Sequence, residues 1–195
     1  TQQTSQIGTY SSSSYGIGVR FGVPLTEKSR FPFGLTADLT RLDLATTSPK
    51  QYLDFCDSLT GCDANSVQVN AGWVYDSRDN LLFPNRGTFQ KLNLEIGVPG
   101  LDLEYYKLQY QHAWIKSDIF KDTVFMLNGE LGYAASYGDG KYPFFKNFFA
   151  GGVNSVRGFQ NGTLGPRDID PATGNDYSVG GTARIVGNAE VFFPV

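Results

Sequence analysis

The chain has 195 residues, of which 18% are charged, with a formal net charge of −3 and two cysteines. This length suffices for one domain with a sizeable core, and a small net charge without a basic block argues against a nucleic-acid partner. The charged fraction lies below the roughly 25% of soluble domains, and no apolar run approaches the about 18 residues of a transmembrane helix. Membrane β-strands remain compatible with this composition, because only one of their faces is apolar.

Apolar residues alternate with glycine or polar residues in seven segments, and no segment shows a sustained period near 3.6. This pattern predicts an all-β fold, an antiparallel meander of about seven long strands with almost no helix. The apolar positions run from Tyr15 to Val23, Phe31 to Leu39, Val67 to Tyr75, Leu92 to Val98, Tyr106 to Trp114, Phe125 to Tyr133 and Ala183 to Phe193. After the second segment the alternation changes phase at Leu42 and Leu44, which predicts a bulge near Thr40.

The length and composition of these strands favour a transmembrane barrel over a soluble sandwich, although the alternation itself fits both. Each strand can hold about 9 to 11 residues, which is enough to cross a bilayer when tilted, and many carry aromatic residues near one end. The polar face is rich in Gly, Asn and Gln, which a water-filled lumen tolerates and a dry core does not. The long connections at 45–65 and 137–179, and the short one at 98–103, are then expected to be extracellular.

Two cysteines lie close together in the first long connection. Cys56 and Cys62 flank a polar segment of five residues, a spacing that favours a small disulfide in an oxidising compartment. Two free thiols are the alternative. Metal binding is disfavoured, because two ligands make a poor site and the single histidine, His112, is distant in the sequence.

The 137–179 connection is too long to be a simple turn, and loops of this length are usually functional or disordered. Its first part, 142–149, is dense in aromatic residues, which favours burial over disorder. If this part lies inside the barrel mouth, it brings Arg157 with it. A guanidinium in that position keeps its charge and therefore requires a carboxylate.

The strand that follows the loop supplies a candidate carboxylate. Glu190 has the inward parity of Arg184, and a bidentate pair between Arg157 and Glu190 would tie the loop to the barrel wall. Glu130 and Glu95 are inward alternatives. A surface loop with a solvated arginine remains the simpler interpretation of the same residues.

Three motifs, in the same order along nearly the whole chain, resemble the BamA family of outer-membrane β-barrel assembly proteins. The loop motif resembles the sixth extracellular loop of that family, and its members are Val156, Arg157, Gly158 and Phe159. A second motif resembles a recurring periplasmic turn, and its members include Asp76, Arg78, Pro84 and Gly87. The third, from Asn188 to Pro194, resembles the strand after the loop. Together these motifs are specific, whereas none is so alone.

The resemblance implies a sixteen-stranded transmembrane β-barrel with one long, inward-folded extracellular loop at 137–179. Residues 1–195 would be a partial barrel of about strands six to twelve, and the abrupt end after a strong strand also leads us to expect a fragment. Arg157 would be the loop arginine and Glu190 one of its acidic wall partners, with a further acidic partner on a later strand.

The resemblance also implies a function: folding and insertion of β-barrel proteins into the bacterial outer membrane, without cofactor or catalysis. The expected partners are outer-membrane lipids, unfolded β-barrel clients, and assembly-machine lipoproteins that bind through periplasmic POTRA domains outside this chain. The alternative is a related polypeptide-translocating barrel, such as a TamA-like protein or a two-partner secretion transporter. A passive porin or an outer-membrane enzyme is a third possibility.

The remaining reactive side chains do not predict an active site or a metal site. Ser155 has no histidine nearby in the sequence and no nucleophile-elbow context, so a catalytic role is disfavoured. His112 has lipid-facing parity near Trp114, which indicates an interfacial residue. The spacing of three aspartates in the long loop fits no calcium-binding loop, and these are Asp168, Asp170 and Asp176.

Overall fold

The computed structural model describes residues 2–7, 10–45, 48–59, 61–117, 123–138, 140–169 and 174–193. Eight strands of the described residues form one antiparallel sheet. These strands are β1 (Gln2–Ile7), β2 (Tyr10–Pro24), β3 (Ser29–Leu44), β4 (Asp63–Asp76), β5 (Gly87–Gly97), β6 (Tyr105–Ser117), β7 (Val124–Ser136) and β10 (Ala183–Phe192). Neighbours in the sheet follow chain order except that β7 pairs with β10. The predicted antiparallel meander of seven long strands is confirmed, and β1 is a short addition to it.

Four smaller elements lie in the two long connections. The first connection contains the helix α1 (Lys50–Cys56), and the second contains a 3-10 helix (Phe144–Lys146) and a hairpin of β8 (Arg167–Ile169) and β9 (Asp176–Ser178). No helix in the described part of the chain is long and apolar enough to cross a membrane. Helix α1 escaped the sequence pattern because it has only seven residues, fewer than two full turns.

The predicted bulge near Thr40 is wrong. Strand β3 pairs with β2 in one uninterrupted register, from Tyr10 opposite Leu44 to Pro24 opposite Arg30. Thr40 and Leu42 lie on the same face, and both are buried. The change in apolar phase therefore reflects a change in what this face contacts: polar side chains along the middle of the sheet, and an apolar cluster at its end.

The two faces of the sheet differ sharply in polarity. One face carries large apolar side chains that are exposed to the surroundings, including Ile17, Val19, Phe21, Leu35, Val69, Leu92, Leu108, Trp114, Leu131 and Ile185. A continuous apolar face of this extent is unusual for a soluble monomer and typical of a barrel wall that faces lipid. We call it the lipid face. The opposite face, which we call the loop face, carries the long loop.

An apolar cluster closes one end of the loop face. The ring of Phe144 is only 1% exposed; it stacks on Tyr52 with 4.0 Å between ring centroids and meets Tyr10 and Phe55 edge-on. Tyr52, Phe55 and Cys56 are the buried residues of α1, at the i, i+3, i+4 spacing that places them on one side of a helix. The predicted Cys56–Cys62 disulfide is present and joins the end of α1 to the start of β4.

Candidate functional site

The long loop lies against the loop face and is joined to the sheet at defined points. Phe148 exchanges backbone hydrogen bonds with Gly181, just before β10, at 2.8 and 2.9 Å. Further along, Leu164 returns to donate to the carbonyl of Ala150 at 3.1 Å. The loop therefore has two parts, which we name by their residues: a proximal part, 142–150, and a distal part, 151–165.

Lys146 joins the proximal part to the wall through both its side chain and its backbone carbonyl. Its Nζ lies 2.8 Å from Oε1 of Glu95 on β5 and 3.3 Å from Oε1 of Gln68 on β4. The same Glu95 oxygen accepts a 2.5 Å hydrogen bond from the Tyr105 hydroxyl. At the backbone, the Lys146 carbonyl accepts a 2.6 Å hydrogen bond from the Lys107 ammonium. Lys146 and Glu95 are only 22% and 18% exposed at their side chains, so solvent screens this pair weakly.

Phe148 occupies a notch in the wall. The notch exists because position 132 on β7 is glycine: a Cβ there would lie 2.7 Å from Cζ of the ring. Two cations flank the ring, with Lys107 Nζ 4.4 Å and Arg184 Cζ 5.5 Å from its centroid. Arg184 is held in turn by Glu130, at 2.6 Å, and it donates to the carbonyl of residue 149 at 3.2 Å.

The structure brings Arg157 and Glu190 together. Arg157 Nη2 lies 3.2 Å from both Oε1 and Oε2 of Glu190. A single guanidinium nitrogen therefore contacts the carboxylate, whereas the sequence predicted a bidentate pair with two nitrogens. The Arg157 side chain is 68% exposed, against 19% for Glu190. The inward alternatives are both engaged by other cations, Glu95 by Lys146 and Glu130 by Arg184.

The other members of the loop motif shape the chain around Arg157. Gly158 has a φ of +89°, in the left-handed region that glycine adopts without strain. The carbonyl of Phe159 accepts a 3.0 Å hydrogen bond from Gly152, which folds the distal part back on itself. Val156 is half-buried, whereas the ring of Phe159 is exposed.

The four residues of the turn motif lie around one connection: Asp76 ends β4, Gly87 begins β5, and Arg78 and Pro84 lie between them. Arg78 donates to both carboxylate oxygens of Asp76, from Nε at 2.9 Å and from Nη2 at 2.7 Å, and this hydrogen bonding raises the pKa of the Arg78 guanidinium. Gly87 has a φ of +121°, and a Cβ there would lie 2.5 Å from a backbone oxygen. Pro84 is half-buried in the tip, where Asp79 accepts amide hydrogen bonds.

Two tyrosines at the loop end of the sheet stay neutral at physiological pH. Burial raises the pKa of the Tyr52 phenol far above its usual range, and electrostatic interactions with Tyr10 and Asp168 add to this effect. Burial likewise raises the pKa of Tyr142, with a contribution from Glu95. The cap over the loop face is therefore an uncharged aromatic layer, above a wall that carries ion pairs.

The other reactive residues of the loop do not converge. Asp168 accepts a hydrogen bond from the backbone of α1 and Asp176 pairs with Arg167, whereas Asp170 lies outside the described residues. The Ser155 hydroxyl is buried without a hydrogen-bond partner in the described part of the chain. Nor do three His, Cys, Asp or Glu side chains come close enough to hold a metal ion among the residues described.

Sequence reasoning missed Lys146, Lys107 and the Gly132 notch. The sequence offered only indirect signs of this contact: Lys146 is the one cation within the aromatic run 142–149, and Glu95 has the parity of an inward carboxylate. What joins them is the path of the loop across four strands, which no local pattern encodes.

Comparison with known proteins agrees with this architecture. The sequence pattern of the Omp85 superfamily domain matches residues 1–195, the full length of the chain. The chain belongs to the Omp85 superfamily.

Individual Omp85 relatives support the assignment. The outer membrane protein assembly factor BamA of Neisseria meningitidis is 36% identical to this chain over 200 residues, which cover 98% of the chain and 25% of that protein. The human Sorting and assembly machinery component 50 homolog is 32% identical over 123 residues, covering 63% of the chain and 25% of that protein. The Omp85 chain described here thus spans about a quarter of the length of these relatives.

A solved structure shares the fold. The crystal structure of BamA from Haemophilus ducreyi lacking POTRA domains 1–3 superposes with a TM-score of 0.84 at 23% sequence identity. The match covers 95% of this chain and 38% of that one. At this identity the likeness establishes the Omp85 barrel-wall fold alone.

Proposed function

We propose that the chain is part of a transmembrane barrel that folds and inserts β-barrel proteins into the bacterial outer membrane. One observation carries this proposal: in a chain of the Omp85 superfamily, the arginine of the loop motif lies 3.2 Å from a carboxylate on the loop face of β10. The seven long strands are then about the sixth to twelfth of sixteen, and 137–179 is the inward-folded extracellular loop.

Physical arguments support an assembly role for the tethered loop. An Arg157 side chain that is 68% exposed contributes little to stability through its ion pair, because exposed pairs are worth about 0 to 1 kcal/mol. A pair this weak is suited to holding the distal part in one position while allowing it to yield. We propose that Arg157 and Glu190 hold the distal part inside the barrel, so that the lumen stays occupied while other parts of the barrel flex.

The proposed mechanism is physical and involves no catalysis, cofactor or metal. A barrel with a weakly closed seam presents strand edges, and an unfolded client adds its own strands to such an edge through backbone hydrogen bonds. The lipid face keeps the barrel in the membrane while this exchange proceeds. The seam itself lies on strands outside this chain. The described strands are then the rigid side of the barrel wall, and they carry the long loop.

The proposed partners are outer-membrane lipids, unfolded β-barrel clients and, through periplasmic domains outside this chain, assembly-machine lipoproteins. The names of the relatives favour assembly over transport, since both BamA and the component 50 homologs are named for assembly. Polypeptide translocation is the alternative that an experiment must distinguish from assembly.

The test uses the complete protein in lipid vesicles with an unfolded β-barrel client. Assembly is measured as the rate at which the client acquires its heat-modifiable, folded form. Arg157→Ala and Glu190→Ala are each expected to slow assembly by up to about fivefold, and the double variant no further, because the two residues act as one unit. Arg167→Ala is the matched control: Arg167 lies in the same loop and pairs with Asp176 at 2.7 Å, outside the motif.

Each outcome decides between the functions. Slow assembly in the motif variants, with normal assembly in Arg167→Ala, supports the proposal. Normal assembly in Arg157→Ala contradicts the role given to the motif. If the vesicles instead accumulate client in their interior without folding it, the protein is a translocating barrel. A large, steady ion conductance of the unmodified protein indicates a porin.

A further inference from the structure

We infer that Lys146, rather than Arg157, is the residue that retains the long loop against the barrel wall. The inference deepens the proposed function and rests on it, because it concerns how the same loop is positioned. Lys146 bonds to β5 through its ammonium and to β6 through its carbonyl, so a single residue binds two adjacent strands.

The two ion pairs of the loop differ in the distance between the charged atoms and in the burial of the cation. The Lys146–Glu95 distance is 2.8 Å with both side chains about four-fifths buried, whereas the Arg157–Glu190 distance is 3.2 Å with the arginine largely exposed. Removing one partner of a buried pair leaves an uncompensated charge, which costs far more than opening an exposed pair. Without Lys146, Glu95 would keep one hydrogen bond, from the Tyr105 hydroxyl, and the weaker attraction of its cross-strand neighbour Lys107.

The surroundings of Lys146 reinforce the anchor. The carbonyl of Lys146 receives the Lys107 ammonium, and that ammonium also lies over the ring of Phe148 in the Gly132 notch. On the other side of Lys146, Phe144 is fully buried in the apolar cluster. The proximal part is therefore held on both sides of Lys146 by packing, with the ammonium fixing its position between them.

Two glycines separate this anchor from the loop motif. Gly151 and Gly152 have φ values of +108° and +90°, a backbone conformation that L side chains rarely adopt. The distal part therefore begins at a turn of its own and closes on itself through the Gly152–Phe159 hydrogen bond. Displacing Arg157 from Glu190 is expected to move the segment between Gly152 and Phe159, while the backbone hydrogen bond between Leu164 and Ala150 and the proximal part stay in place.

The experiment measures exposure of the proximal part in the complete protein, in the outer membrane of intact cells. Ala150→Cys supplies a half-buried reporter of small size, and Cys56 and Cys62 do not react because they form a disulfide. Labelling of the parent protein without this reporter is subtracted as background. The readout is the rate of labelling by a membrane-impermeant maleimide. It needs no assembly activity, so failure of this inference is distinguishable from failure of the proposed function.

In the reporter background, Lys146→Gln is expected to raise the labelling rate about tenfold or more, because it frees the anchor and strands a buried carboxylate. Glu95→Gln should act similarly, and the double variant should exceed neither single variant by more than about twofold, as expected of one coupled pair. Lys146→Arg keeps the charge and should label slowly. Arg157→Gln should stay within about twofold of the parent, because its exposed pair contributes little.

Equal labelling of Arg157→Gln and Lys146→Gln overturns the inference, as does unchanged labelling of Lys146→Gln. Heat-modifiable migration of each variant reports whether the barrel has folded. If Lys146→Gln does not fold, Glu95→Gln decides the question alone: it is an isosteric change that leaves the Tyr105 hydroxyl an acceptor, and slow labelling of this folded variant refutes the anchor.

Discussion

Replacing Gly132 by alanine tests whether the Phe148 notch holds the loop. The added Cβ would lie 2.7 Å from Cζ, 2.8 Å from Cε1 and 3.1 Å from Cε2 of the ring, all inside normal contact distance. The ring has little freedom to withdraw. It is 6% exposed, its backbone is paired with Gly181, and Lys107 lies 4.4 Å from its centroid.

The expected magnitude follows from two opposing effects. Overpacking a filled site costs about 1 to 3 kcal/mol. Replacing a glycine in a strand by alanine returns about 0.5 to 1 kcal/mol, because the unfolded chain loses conformational freedom. Gly129→Ala is the matched control on the same strand, since its Cβ would meet nothing within 4 Å and only the favourable effect remains. The two variants should therefore differ in free energy of unfolding by about 1 to 3 kcal/mol.

Urea denaturation of the complete protein in detergent micelles measures this difference. In a Phe148→Ala background the ring is absent, so Gly132→Ala should behave like Gly129→Ala. Two results would refute the reasoning: equal stabilities of the two alanine variants in the parent protein, or a Gly132→Ala penalty that persists after the ring is removed.

Three further predictions concern the connections at the two ends of the sheet. Replacing Cys56 and Cys62 together by serine should lower the free energy of unfolding by about 2 kcal/mol, because the disulfide restricts a short loop of the unfolded chain; an unchanged urea midpoint under non-reducing conditions would argue against this. Gly87→Ala should destabilise the folded barrel by about 1 to 3 kcal/mol, since alanine is strained at a φ of +121°, and normal heat-modifiable stability would contradict it. Acidification should loosen the β4–β5 turn. Desolvation raises the pKa of Asp79, but hydrogen bonds from the amides of Arg86 and its neighbours lower this pKa by more, so that the net shift is downward. The stabilisation is present above the ordinary carboxyl pKa of about 3.9 and is lost as the pH falls through the folded-state value. Faster amide exchange in the turn at low pH, absent in Asp79→Asn, would show this.

The sequence was sufficient to predict the structure wherever a structural property repeats along the chain. Period-two alternation identified seven long strands, and parity placed Glu95, Glu130 and Glu190 on one face, because successive side chains of a strand point to opposite sides. The cysteine spacing likewise sufficed for the disulfide.

Pattern reasoning failed where the surroundings of a face change along one strand. The apolar phase at Leu42 was interpreted as a bulge, yet the register of β3 is continuous and Leu42 packs in the apolar cluster with Tyr10. The phase of the alternation records what a side chain contacts, and this contact comes from distant loops. Helix α1 was missed for a related reason: seven residues supply too little periodicity, and its stability comes from the burial of Tyr52 and Phe55.

The sequence by itself determined the strands, the direction of their side chains and the set of inward carboxylates. Only the tertiary structure decided which cation each carboxylate receives: Lys146 for Glu95, Arg184 for Glu130 and Arg157 for Glu190. The physical reason is the separation of the partners along the sequence. Alternation follows from the geometry of neighbouring residues, whereas these pairs join positions 51, 54 and 33 residues apart. The Arg184–Glu130 pair follows from the pairing of β10 with β7, whereas the other two pairs depend on the path of a loop that is fixed by Phe148, Gly132 and the apolar cluster.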